Sequence, residues 1–213
     1  MSAITTAASP TATPSPSSSP AVDAPPAPRV APAKGRILAT AMRRFYDDGI
    51  RPVGVDLLIS ESQVTKATFY KHFGSKERLV LDYISARRDA TIESLTSLLA
   101  AHEDAAVGLR LVGDAVVAQI QAPGYRGCPF VNAAAEFADP AHPVRGVVTS
   151  FHEAIHELFE GALVRLGHPM PGEAADRLVL AYVGAMTWAY VGDVVAASSA
   201  VRGTIERVTN EAR

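Results

Sequence analysis

From Leu178 to Gly192 the chain carries no charge, and Arg177 and Asp193 close the stretch at either end. Wound as a helix, Leu178, Val179, Ala181, Tyr182, Val183, Ala185, Met186, Trp188, Ala189 and Tyr190 leave it apolar all round. A helix of that kind needs cover on opposite sides. The stretch falls short of the ~20 residues that a membrane span needs, so burial in protein is expected and no membrane partner. One side is expected to face the chain's own core. The other is covered most simply by the same helix of a second subunit, with Ile205 and Val208 of the next helix contributing. The alternative is a central helix of a monomer.

The rest of the sequence repeats the helical period. Ile37, Ala41 and Phe45 recur every fourth residue, and Gly49 stops that helix. Val55–Glu61 and Thr65–His72 are short helices, the second capped by Thr65; Ser75 caps a longer one through Leu79 and Tyr83 towards Leu99. Leu109–Ile120 continues the pattern, and Val144, Val148, Phe151, Ile155, Phe159, Ala162 and Leu166 form one stripe. Loops are expected at Pro123–Pro129, Ala138–Pro143 and Gly167–Gly172, and two last helices over 173–196 and 199–211. No strand alternation is present, so the fold class is all-α.

Charge divides the chain. From Lys34 to Arg88, 11 Lys and Arg stand against 6 Asp and Glu; from Asp89 to Arg213, 8 stand against 15. A basic block joined to an acidic one implies two tasks, the first suited to a polyanion. Residues 1–33, dominated by Pro, Ser, Thr and Ala, lack the large apolar groups that would offset the entropy of ordering, and a disordered tail is expected. The division is therefore a 1–33 tail, a 34–88 basic domain and an 89–213 helical domain. A lone cysteine, Cys128, excludes an intrachain disulfide and fits a reducing compartment; with no secretory signal pattern at the N-terminus, a cytoplasmic protein is expected.

Val55 to Phe73 reads as helix, turn, helix. Leu58, Val64 and Phe69 point inward and Phe73 anchors the exit, because a helix this short does not persist without tertiary contacts. Lys66 with Tyr70, and Ala67 with Lys71, then form neighbouring rows on an outer face, where the small Ala67 permits close approach to bases in a DNA major groove. His72 lies just beyond. Ser75 and Lys76 open the next helix, whose N-terminal end suits a phosphate.

The stretch VDLLISESQVTKATFYKHFGSKERL, with its T-x-x-T-F-Y-x-H-F-x-S-K-E core, closely resembles the DNA-binding segment of the TetR family of bacterial transcriptional regulators. The resemblance covers Lys34 to Arg88. It implies that Thr65, Lys66, Ala67, Thr68, Tyr70 and Lys71 belong to the DNA-contacting set, and that His72 and Lys76 match phosphate-contacting positions. GCPFVNAAAEFADPAHPVR, from Gly127 to Arg145, resembles a segment of the regulatory domain in one branch of the family. Family members are all-α homodimers whose C-terminal domain binds a small molecule, so a double-stranded DNA operator, an effector and a second copy are the partners implied. No cofactor and no metal are expected. Two positions depart from the family pattern: Gln63 stands where the turn carries Gly, and Gly54 where a Ser or Thr caps the first helix of the motif.

The function expected is repression released by an effector, with activation as the alternative. Candidate effector contacts are Gln119, Phe130, Asn132, Glu136, Phe151, His152, Tyr182, Met186 and Trp188. Asn132 and Glu136, four apart on one helix, either face a pocket or bridge neighbouring helices. A rival reading comes from His152–His156, which spells the H-E-x-x-H signature of zinc hydrolases. On the helical wheel His152 falls at the margin of the apolar stripe, while His156, Glu153, Glu157 and Glu160 fall toward solvent, which favours a solvated face. Cys128 as an oxidant sensor would need an activating cation, and Arg126 is the nearest in sequence.

Overall fold

The computed structural model describes residues 32–212, and these form helices joined by short loops. In order they are α1 (Ala33–Asp47), α2 (Val55–Glu61), α3 (Lys66–Phe73), α4 (Lys76–Ala100), α5 (Ala105–Ile120), α6 (Pro129–Glu136), α7 (Pro143–Leu166), α8 (Pro171–Val191) and α9 (Val194–Glu211). The expected tail lies outside the described residues, apart from Pro32 and from Ala33, which opens α1.

Local chemistry sets the helix starts. Thr65 accepts the Thr68 amide, Ser75 the Arg78 amide and Asp104 the Ala106 amide, each satisfying a donor that has no partner within its helix. Asp104 moves the start of α5 four residues ahead of the expected Leu109. Pro129 and Pro143, expected to close loops, and Pro171, expected within one, instead open α6, α7 and α8. At the first position of a helix the missing proline N–H is no loss and the fixed φ already suits the turn.

The last two helices also divide elsewhere than expected. α8 stops at Val191, and Asp193 accepts the amides of both Val195 and Ala196 to begin α9. The Trp188 ring lies against Gly192, where a Cβ would come within 2.7 Å of it. Only a residue without a side chain fits between that ring and the new helix.

α1, α2 and α3 close on one another around Ile37, Phe45, Leu58, Phe69 and Phe73, all buried. α4 carries this head into the rest of the chain. Its first turns pack on α1, with Phe45 edge-on to Tyr83 at 5.4 Å, and its later turns pack on α5 and α7. The boundary expected between Arg88 and Asp89 therefore falls inside one continuous helix. Every member of the α7 stripe from Val144 to Ala162 is buried. Phe130 stacks on Phe151 at 3.6 Å, and α8 packs chiefly against α7 and α9.

Gln63 takes φ +53°, the left-handed region, as its replacement of a glycine implies. The turn is held from α1: Arg36 donates from Nε to the Ser62 carbonyl at 3.0 Å and from Nη2 to the Gln63 carbonyl at 3.2 Å. Because those bonds go to backbone oxygens, Gln63→Gly keeps them while relieving a strain of about 1–2 kcal/mol. A freer unfolded chain returns roughly 0.5–1 kcal/mol of that gain. A rise in Tm of about 1–3 °C is expected by calorimetry, and a fall would show that the glutamine side chain itself stabilises the turn.

Candidate nucleic-acid interface

α3 has eight residues and two anchors. Phe69 and Phe73 are buried, with ring centroids 6.1 Å apart, and Leu58 of α2 is buried beside them. Val64 packs partly buried against the same core. With that side fixed, Lys66, Ala67, Tyr70, Lys71 and His72 are exposed and Thr68 is half-buried. Tyr70 stands edge-on to Phe69 at 5.3 Å, which holds its hydroxyl end outward. Thr65 does more than cap: its hydroxyl lies 2.9 Å from that of Thr68, so the start of the helix presents two linked hydroxyls.

α2 is fixed to α1 by charge. Glu61 accepts from Arg43 at 2.7 Å and from Arg44 on both carboxylate oxygens, while Arg44 also reaches Asp48 at 3.0 Å. These guanidinium bonds, Arg44's first, hold the Glu61 carboxyl down to about 2. The stability it contributes is present above the ordinary carboxylate range and is lost as pH falls toward that value. Gly54 precedes α2 with no side-chain cap, as expected.

Lys76 differs from the expectation. Its ammonium donates to the Arg51 carbonyl at 3.2 Å and lies 6.0 Å from the Phe45 ring centre, so the side chain is engaged with the fold instead of standing out as a free phosphate ligand. Partial burial pushes its pKa down, against the nearby Glu136 and Glu77.

Glu136, at the end of α6, reaches the same segment. One carboxylate oxygen accepts the Ile50 amide at 2.8 Å and the other the Arg51 amide at 2.6 Å. Gly49, at φ +92°, supplies the left-handed backbone that this turn needs beside that carboxylate. A second tie lies at the start of α6. Tyr46 of α1 donates to the Gly127 carbonyl at 3.1 Å and accepts the Arg126 amide at 2.9 Å, and Arg126 donates to the Asp47 carbonyl and the Tyr190 hydroxyl. The loop before α6 is thus bonded to the end of α1, and the end of α6 to the turn that leads from α1 into α2.

Of the residues expected around an effector, Gln119 and Tyr182 come together on one cleft between α4, α5 and α8. The others are placed differently. Phe130, Phe151 and Met186 are buried in the core, the two rings filling their space by stacking. Asn132 donates to the Arg126 carbonyl at 2.8 Å, and Glu136 makes the tie just described, so this pair bridges elements. Trp188 is exposed on α8, its ring against Gly192. His152 is half-buried with Nε2 lacking a partner, and burial pushes its pKa down. His156 turns instead to Asp176 at 3.2 Å and Glu160 at 3.9 Å. Among the described residues no three His, Cys, Asp or Glu side chains group as a metal ligand set. Cys128 is buried, and burial pushes its thiol up, away from the reactive thiolate.

Sequence inspection missed Arg36, Tyr46 and Arg87. Each is a long side chain crossing to another element, and nothing in the local spacing marks such a reach.

Ile37 to Tyr83 match the family described as bacterial regulatory proteins, tetR family. Among solved structures, the chain is similar to a TetR-family transcriptional regulator from Streptomyces coelicolor, with 34% identity over 84% of this chain and 95% of that one and a TM-score of 0.80. A TetR-type transcriptional regulator from Streptomyces avermitilis gives 24% identity, 85% and 98% coverage and a TM-score of 0.75. The reduced form of NemR from E. coli gives 22%, 84% and 96%, and 0.70. Among curated proteins none matches. No helix of the described residues is long and apolar enough to cross a membrane.

Proposed function

We propose that this chain, which belongs to the TetR family of bacterial regulatory proteins, represses transcription by gripping a palindromic operator as a homodimer and lets go when a small effector binds. That it is a DNA-binding transcriptional regulator is given by the family. Repression, release and the paired grip are our own reading. The observation that carries it is α3: a helix too short to persist alone, anchored by Phe69 and Phe73, with Lys66, Tyr70 and Lys71 exposed beyond it. The exposed rows fit a major groove, where the aromatic and the two cations meet base edges and phosphates.

The second copy is supported by α8. Leu180, Trp188 and Val191 are exposed, as is Val195 at the start of α9, and Gly184 lies between the first two on the same face. Three large apolar groups along one side of α8, with a fourth at the start of α9, mark a surface that a partner covers. Ile205 and Val208, expected to join this contact, are buried in the chain's own core. Release then works by population shift. The effector favours a dimer whose two α3 helices are spaced wrongly for successive major-groove half-sites, and affinity falls by its preference for that state. Such a protein acts in the cytoplasm, on DNA.

Selection from random duplexes with the purified full chain tests this. A twofold-symmetric site is expected, with half-sites centred about 34–36 Å apart or a multiple of it. Enrichment of an asymmetric single site, or none, would refute the paired grip.

A further inference from the structure

Among the described residues, Arg87 of α4 is a cation without a counter-charge. Its guanidinium lies 5.0 Å from the ring centre of Tyr46 and 5.8 Å from that of Tyr83, and donates from Nη2 to the Met42 carbonyl at 2.9 Å. Its Nε is buried without an acceptor, and no carboxylate pairs with it among the described residues. Tyrosine faces offset only part of a guanidinium's lost hydration. A planar fork of donors in that state matches a carboxylate that binds both arms.

The same side chain lines the cleft between α4, α5 and α8, a cavity of ≈ 220 Å³. Leu95, Leu98 and Val116 supply apolar wall, Gln119 and Tyr182 supply neutral polar groups, and no Asp or Glu is among the lining residues. The volume lies below the ~300 Å³ at which pockets for drug-sized ligands begin, so the occupant is small. A lone cation, apolar walls and no acid define an occupant with one negative charge on an apolar body.

We propose that this cleft takes a small apolar carboxylate and that Arg87 binds its anionic end; the proposal rests on the effector-released repression proposed above and names the chemical class of the effector. The Met42 carbonyl belongs to α1, in the DNA-binding head. A carboxylate on Arg87 competes with that carbonyl for the guanidinium and loosens a tie between α1 and α4 that the empty cleft keeps.

Calorimetry of the full chain without DNA tests the site, using three matched pairs: benzoate and benzamide, 4-phenylbutyrate and 4-phenylbutyramide, octanoate and octanamide. At least one carboxylate is expected to bind with Kd below about 1 mM, and its amide at least about tenfold more weakly. Arg87→Gln abolishes the discrimination. Equal binding of acid and amide, a preference that survives in Arg87→Gln, or no binding by any of the three acids overturns the proposal. Should the variant not fold, the acid–amide comparison in the parent chain still decides. Operator anisotropy is read separately. A carboxylate that binds through Arg87 but leaves operator affinity unchanged upholds the site and overturns effector release. A protein that selects a twofold operator yet binds no carboxylate upholds the paired grip and overturns the site.

Discussion

A Leu180→Glu variant sediments as a folded monomer at micromolar concentration and binds the full twofold operator far more weakly than the parent chain. Leu180 is 72% exposed in the single chain, so the glutamate meets water there and costs the subunit's own fold little. In a symmetric dimer built on α8 the change enters twice and is covered twice. An unpaired buried charge costs about 3–5 kcal/mol, so the dimer dissociation constant rises by at least about a thousandfold. Trp188→Glu gives the same sign from the next large apolar group along the face. Val183 and Ala189 of the same helix are packed partly buried against the chain's own core, and glutamate there unfolds the subunit instead of separating two. Sedimentation and a denaturant curve on each variant separate the two outcomes. If Leu180→Glu remains a dimer, α8 is not the contact; if the parent chain is itself a monomer, the paired grip fails with it.

The difference between Leu180 and Ile205 shows where sequence patterning stops. Period and polarity say which side of a helix is apolar, and on that basis α7 was legible from Val144 to Ala162. They do not say whether an apolar side meets the chain's own core or another chain's. Ile205 and Val208 face inward and Leu180 faces out, and no local rule distinguishes them. Caps were legible where a hydroxyl stands one position before a run, as Thr65 and Ser75 do, and the carboxylate caps Asp104 and Asp193 were missed. Prolines were misread because the residue that ends a loop is also the one that opens a helix. In the helix-turn-helix, the anchors Phe69 and Phe73 fixed which rows of α3 face out, so the exposed side of that helix was legible, while the placing of Lys76 was not. That lysine turned out to be engaged with the Arg51 carbonyl, a partner 25 positions away that sequence does not indicate. The effector candidates fared worse, because a cleft is enclosed by residues from distant segments. Gln119 and Tyr182 belong to one, but Arg87, its charged member, carries no periodic signature.

Glu136→Ala should loosen the head from the body and lower operator affinity without touching α3. Its carboxylate bonds the Ile50 and Arg51 amides at once, 2.8 and 2.6 Å away, across a sequence separation of 86 and 85 positions. A hydrogen bond to a charged group contributes about 1.5–3 kcal/mol when shielded. The Ile50 bond is partly buried and the Arg51 bond exposed, so the pair together contributes roughly 2–3 kcal/mol. Alanine removes both acceptors and leaves the two amides to water; Glu136→Gln keeps one carbonyl oxygen and recovers part of the loss. The lysine bond to the Arg51 carbonyl and the Tyr46–Gly127 bond remain, so the head stays folded but less firmly held. A dimer whose heads are less fixed loses more freedom on binding two half-sites, and operator affinity drops by about tenfold or more. Hydrogen exchange at Ile50 and Arg51 reads the tie directly, and a palindrome against a single half-site reads its consequence. Faster exchange with a loss confined to the palindrome is the expected pattern. Unchanged exchange would mean that the carboxylate does not hold those amides in solution. An equal loss on the half-site would place the effect in the reading head itself, not in its attachment to α6.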